Sequence, residues 1–259
     1  MSTYGVVIMD IVGSRHIEDR GKVQNKLINH IAEVNCKYKD ILPAPVSITL
    51  GDEWQVILSK PSECYNIVHE FQQRLWIEDI EFYAGIGIGG LATPIYDDIG
   101  RMDGPCFHMA REAINIAKRQ ARINSKLIYS KRNRVFLLSP KESIMDNNEV
   151  IFKKLKIHSD SPGLEEVAVT AIKDNSITID NLINILIENN EILKSRMTDK
   201  QKKVYMDYLR LGSYRKIIEG NEDGNDSIGG ISQKLNSAEF FTIQRNHDMV
   251  SVLLNCFGS

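Results

Sequence analysis

The chain has 259 residues, 42% hydrophobic and 25% charged, with a formal charge of −2. These values belong to a soluble globular protein of one large or two smaller domains. They exclude a general electrostatic pull toward nucleic acid or anionic lipid, and no apolar run approaches the ~20 residues that span a bilayer.

The first segment, YGVVIM at 4–9, reads as a strand buried on both faces. Asp10 then interrupts the apolar run, and Gly13-Ser14 forms a small-residue turn into a helix. Two readings compete for Asp10. It is either a solvated strand end, or a ligand for a divalent cation with the amides of the following helix start facing an anion. Val23, Leu27, Ile31 and Val34 recur at helical spacing up to about Tyr38, and Pro43 and Pro45 end that helix. Residues 46–50 and 54–58 read as a hairpin around Gly51-Asp52-Glu53. Ser62 is the expected N-cap of a second helix, whose apolar face is Tyr65, Val68, Phe71 and Leu75. Residues 81–88 form the next strand. Its glycines, with Gly85 and Gly87 inside it and Gly89 and Gly90 just beyond, predict the close passage of another backbone or a ligand. The order βαββαβ is that of ferredoxin-like α/β (α+β) domains. Their first and third strands are neighbours, so Asp10 and Asp52 are expected to meet.

After a polar loop, Pro105 fits the first turn of a helix with Phe107, Ala110, Ala113, Ile114 and Ala117 on its apolar face. Arg111, Lys118 and Arg119 fall at its other positions. Residues 127–129 and 134–138 are read as closing strands and 150–155 as an edge strand. A boundary near 159–163 divides an α/β domain, 1–160, from a helical domain, 164–259. In the latter, Leu182, Ile185, Leu186, Asn189 and Leu193 share one helix. Thr198 and Gln201 form a capping box for a second helix, which Gly212 ends. Residues 219–226 read as an exposed loop. Two last helices, joined at Asn236-Ser237, give a helix-turn-helix candidate over about 228–255. There Gln244, Arg245, Asn246 and His247 are the types that read base edges or phosphates. Gly229-Gly230 and Phe240-Phe241 suit a degenerate module used for dimerisation instead.

The scattered cysteines (Cys36, Cys64, Cys106, Cys256) form no CxxC pair, which predicts reduced thiols. Together with a first segment that lacks a targeting pattern, this makes a cytosolic location the expectation. Cys106 is read as a packed small hydrophobe and Trp54 as core.

Four motifs carry a resemblance: DIVGS at 10–14, TLGDEWQ at 49–55, GIGIGG at 85–90 and DGPCFHMAREA at 103–113. Together they resemble the bacterial SatD family. The first two also resemble the metal-binding pair in the palm of class III nucleotidyl cyclases. The resemblance implies that Asp10 and Asp52 bind Mg²⁺ or Mn²⁺, with the Ile11 carbonyl as a further ligand. Val12, Gly13 and Ser14 would present amides to a triphosphate. Paired cations held in this way suit phosphoryl or nucleotidyl transfer. Glu53 is read as solvated, because a hairpin tip is usually exposed.

Cyclases also carry an Asn and, four residues later, an Arg on the helix after the glycine. Alignment on Gly104 puts His108 and Glu112 there, with Arg111 one residue early, about 100° round the helix. Ile48 stands where adenylyl cyclases have a base-reading Lys. His108 remains a catalytic candidate beside its reading as a structural residue. Arg111 is either a phosphate ligand or the structural partner of a carboxylate such as Asp103. Cyclases build their sites across a dimer, which implies a homodimer. The leading expectation is a cytosolic regulatory protein that binds a nucleotide with metal and contacts DNA or a partner through its C-terminal helices. The alternatives are a transferase acting on a nucleoside triphosphate, and an interaction protein with a remnant palm.

Overall fold

The structure is a computed structural model, described here for residues 2–120, 130–139, 178–220 and 227–257. Its centre is a five-stranded mixed sheet of order β2-β3-β1-β4-β5. β1 (Tyr4–Ile11) lies between β3 (Glu53–Leu58) and β4 (Phe82–Gly89) and is antiparallel to both. β2 (Ser47–Leu50) pairs antiparallel with β3, and β5 (Val135–Leu138) pairs parallel with β4. The first four strands and their two helices follow the predicted ferredoxin-like order, and β5 extends the sheet. The expected strands at 127–129 and 150–155 and the boundary at 159–163 lie outside the described residues.

Strand alternation divides the core into two layers. Val7, Met9 and Ile11 point to one face, against α1 (Arg20–Lys37) and α2 (Cys64–Trp76). Val6 and Ile8 point to the other face, against α3 (Pro105–Gln120). Asp10 continues the second set and therefore faces α3. A Cβ on Gly85 would lie 2.2 Å from Ile114 N, and one on Gly87 2.1 Å from the Cys106 carbonyl oxygen. The backbone predicted to pass close to these glycines is thus α3. Trp54 is core, ringed by Phe71 and Phe82. Cys106 is fully buried and burial pushes its thiol up to about 11, as a packed hydrophobe requires.

Two local expectations are corrected. No helix begins at Ser14: residues Ser14–His16 make a single 3-10 turn, and α1 starts at Arg20, capped by the Asp19 side chain. Ser62 does not cap α2 either. Pro61 starts a 3-10 turn that runs directly into the helix and buries Ser62.

The C-terminal part is all helical: α4 (Ile179–Lys194), α5 (Asp199–Leu211), α6 (Tyr214–Gly220), α7 (Ile228–Ser237) and α8 (Phe240–Leu254). The Thr198–Gln201 capping box forms, and Gly212 ends α5 at φ +63°. The short helix α6 was not foreseen. α5 to α8 share a core of their own around Tyr205, Leu235 and Ile243. α4 and α8 also enter the sheet core through Ile183, Ile187, Val250 and Leu254. Asn184 bridges α4 to β5: its amide oxygen accepts from Leu137 N and its amide nitrogen donates to Leu137 O, so a side chain satisfies both backbone groups of that residue. Among the described residues no helix is long and apolar enough to cross a membrane.

Candidate functional site

The end of β1, the β2–β3 turn and the C-terminal half of α3 converge on an open cleft of about 900 Å³. Its walls include Asp10, Ile11, Gly13, Ser14, Asp52, Asn115, Lys118 and Arg119. The two predicted acids thus reach one cleft from distant parts of the chain. The Asp52 carbonyl accepts a 3.4 Å bond from Ile11 N, which ties the turn to the end of β1. Burial raises the Asp10 carboxyl above its ordinary value; the ion pair with Lys118, 3.0 Å away, lowers it, and Asp52 and Glu53 push it up further. Burial outweighs the lysine, and Asp10 holds its proton more tightly than a free carboxylate.

Cations outnumber acids around this cleft. Arg15, Arg20, Lys118 and Arg119 line it beside Asp10 and Asp52. Lys118 pairs with Asp10. Among the described residues, Arg15, Arg20 and Arg119 have no carboxylate within ion-pair distance. Such a set suits a ligand that carries several negative charges.

Of the amides assigned to a triphosphate, that of Val12 is committed to the Glu81 carbonyl at 2.8 Å. Gly13, at φ +64°, and Ser14 remain on the cleft wall. This side of the cleft is therefore lined by guanidinium groups and a tight turn, not by a helix start. For a divalent cation the donors are hard oxygens, two carboxylates plus the Ile11 carbonyl, which suit Mg²⁺ or Mn²⁺. Among the described residues no three His, Cys, Asp or Glu side chains cluster as a complete metal cage. Mg²⁺ commonly takes one or two carboxylates and completes its shell with phosphate and water.

Glu53 is not solvated. It is 4% exposed, and both its oxygens receive Arg111 nitrogens, at 2.5 and 2.8 Å. Thr49 and Gln55 also donate to it. The turn tip is residues 51 and 52, and Glu53 is already the first residue of a buried strand. Arg111 is thereby held as a structural partner of Glu53 and not of Asp103. Asp103 instead meets His108 at 3.0 Å on an exposed surface.

The residues that the sequence reading missed are Asn115 and Arg119. They stand four apart on α3 and both line the cleft. They have the Asn-x-x-x-Arg spacing that alignment on Gly104 looks for at His108 and Glu112, seven residues or about two helical turns earlier. The Asn-x-x-x-Arg spacing itself was the available signal.

The C-terminal candidates turn inward. Gln244 donates to the Tyr205 hydroxyl, Asn246 donates to Asn190 Oδ1, and His247 is 5% exposed and stacked on Tyr65 at 4.3 Å. Only Arg245 of the four is exposed. α8 packs on both α4 and the start of α2 with the face that carries His247, and its outward face carries Phe241, Arg245, Met249 and Val252.

The SatD family model matches residues 4–135, just over half of the chain. The chain belongs to the SatD family. The matched stretch contains every residue of the cleft. No curated protein matches the chain.

Proposed function

We propose that this SatD-family protein binds a nucleoside triphosphate, or a closely related polyphosphate nucleotide, as its Mg²⁺ or Mn²⁺ complex. Asp10, Asp52 and the Ile11 carbonyl take the cation. Arg15, Arg20 and Arg119, with the Gly13-Ser14 turn, take the phosphates. The observation that carries this reading is one cleft in which two convergent carboxylates lie beside three cations with no partner among the described residues. An empty ion-pair network would neutralise itself, whereas a phosphorylated ligand with its metal supplies both of the missing charges.

A second reading adds turnover, and the Asn115/Arg119 pair favours it. A guanidinium and an amide at that spacing on one helix face can hold a ribose and a developing phosphoryl charge, while a metal would polarise the reacting phosphate. Neither reading calls on Gln244, Arg245, Asn246 or His247 to contact DNA.

Thermal unfolding with Mn²⁺ and ATP or GTP tests the binding. Ligand at a hundred times its dissociation constant stabilises by about 2.7 kcal/mol. No stabilisation by any triphosphate at millimolar concentration removes the proposal. Chromatography of the incubated nucleotides tests turnover, with Arg119→Ala as the variant expected to lose it.

A further inference from the structure

Asp10 is the carboxylate that the proposed cation requires, and here it holds a lysine. Lys118 Nζ lies 3.0 Å from Asp10 Oδ2, with the lysine side chain 33% and the aspartate 21% exposed. The neighbouring pair is built differently. Arg111 grips Glu53 through two parallel bonds to a nearly buried carboxylate. That fork is fixed, whereas Lys118 makes one contact through a flexible four-carbon stem. Asp52 also faces Asp10 and has no ion-pair partner among the described residues. Lys118 therefore supplies the charge that keeps Asp10 beside two other acids.

An ammonium and a divalent cation on one carboxylate repel each other, so a metal ion on Asp10 loosens the hold of Lys118 and favours its release. Lys118 also lines the same cleft as Ser14, Arg15 and Arg119. A released ammonium anchored on α3 thus has the phosphate side of the cleft within its sweep.

We propose that Lys118 is a resident counter-cation. It occupies Asp10 until a divalent metal displaces it, and the freed ammonium then binds the phosphate chain of the incoming nucleotide. This rests on the reading of the cleft as a metal–nucleotide site. The consequence is thermodynamic coupling. Metal alone must expel the lysine and gains little, and nucleotide alone meets a lysine still engaged by Asp10. The two together satisfy every charge, and each tightens the other by the same factor.

Mn²⁺ binding to the full chain, followed by electron paramagnetic resonance with and without a non-hydrolysable triphosphate analogue, reads this coupling directly. The wild type is expected to bind Mn²⁺ weakly alone and about tenfold or more tightly with the analogue. Lys118→Met is expected to bind Mn²⁺ alone about tenfold more tightly than the wild type, and to show less than threefold coupling. A second measurement needs no variant: acylation of Lys118, followed by mass spectrometry, should be slow without metal, faster with Mg²⁺ alone and slow again with Mg²⁺ and analogue. Equal Mn²⁺ affinity in Lys118→Met and wild type, or Lys118 labelling indifferent to Mg²⁺, overturns the role of Lys118. If the wild type takes up neither Mn²⁺ nor the analogue, the metal–nucleotide reading itself falls.

Discussion

Asp10 and Glu53 lie directly opposite each other on β1 and β3, yet their carboxyl groups are displaced in opposite directions. Burial raises both. In Glu53 the hydrogen bonds and charge of Arg111, with help from Gln55 and Thr49, overcome burial and hold the carboxyl below its ordinary value. In Asp10 one lysine contact does not. Two acids of one sheet face are thereby held differently: Glu53 fastens α3 to the sheet through a two-bond fork, and Asp10 meets α3 through a single lysine contact.

Removing Arg111 should therefore cost stability more than binding chemistry. Arg111→Leu leaves Glu53 nearly buried without its counter-charge. Breaking a buried pair costs about 3–5 kcal/mol, and the exposure of Arg111 (42%) brings the expectation down to roughly 2 kcal/mol. The pH dependence has a definite sign. A depressed carboxyl contributes stability above the ordinary carboxylate range and loses it as pH falls through the folded value. Urea titrations from pH 7 to pH 3 should show this acid loss in the wild type. It should be smaller in Arg111→Leu, which has already lost the pair. Equal stability of the two proteins at pH 7 would refute the assignment.

Asp10→Asn should abolish the stabilisation by Mn²⁺ and nucleotide while leaving the free protein folded. Because the Asp10 carboxyl is raised, the folded state keeps its proton longer than the unfolded chain does. Its contribution is therefore full at low pH and is lost as pH rises from the ordinary carboxylate value through the folded one. The Asn variant should lack that decline, so its stability relative to wild type should rise across the window. Melting curves with and without Mn²⁺ at several pH values measure both effects. Mn²⁺-dependent stabilisation that survives in Asp10→Asn would remove this carboxylate from the site.

The junction between α2 and the C-terminal helices should be acid-sensitive. His69 and His247 are buried there, 4.5 Å apart by ring centroid, and burial with the nearby Lys194 holds both far below the usual histidine value. His69 also meets the Tyr205 hydroxyl at 3.0 Å. The same knot contains Tyr65 and Glu191, the latter accepting from Lys194, Tyr65 and Gln72. A histidine kept neutral in the fold contributes stability above its unfolded pKa, and loses about 1.4 kcal/mol per pH unit below ~6.5. His247→Phe preserves the stack on Tyr65 and should flatten the stability curve between pH 6.5 and 5. An unchanged slope would mean that His247 already titrates in the native protein.

Much of this architecture is legible in the residues, and the exceptions have physical causes. Alternating and apolar runs disclosed β1, β3 and β4, and spacing disclosed α1, α2, α3 and α5; α4 was found as well, but its buried stripe is Ile183, Ile187, Asn190 and Lys194, and Ile185 and Asn189 are exposed. Asp10 and Asp52 followed from topology, because a βαββ order makes strands one and three neighbours. Glu53 was misread because a hairpin tip was assumed to be solvated, while its true partner, Arg111, lies 58 residues away. Asn115 and Arg119 were passed over because the single glycine anchor looked two turns earlier on α3. α8 has residue types suited to DNA, but sequence alone does not show that Asn190, Tyr205 and Tyr65 claim three of them.

The cleft depends on how closely α3 lies on β4, and Gly87 sets that distance. Its missing Cβ would fall 2.1 Å from the Cys106 oxygen and 2.2 Å from Ala110 N, both of them backbone atoms of α3. Ordinary carbon contacts begin near 3.5 Å, so Gly87→Ala must push the helix away by roughly 1 Å. That cost stands at the upper end of overpacking penalties, about 3 kcal/mol. Leu235→Ala, in the separate core of α5 to α8, is the control. It opens a cavity at a cost of about 2–5 kcal/mol but touches none of the cleft residues. Well below their melting temperatures, the two variants should differ in function. Gly87→Ala carries Asn115, Lys118 and Arg119 away from Asp10 and should lose most of its Mn²⁺–nucleotide affinity, whereas Leu235→Ala should retain it. Equal affinity in the two would show that the cleft tolerates a displaced α3, and that the ligand is held by β1 and the β2–β3 turn alone.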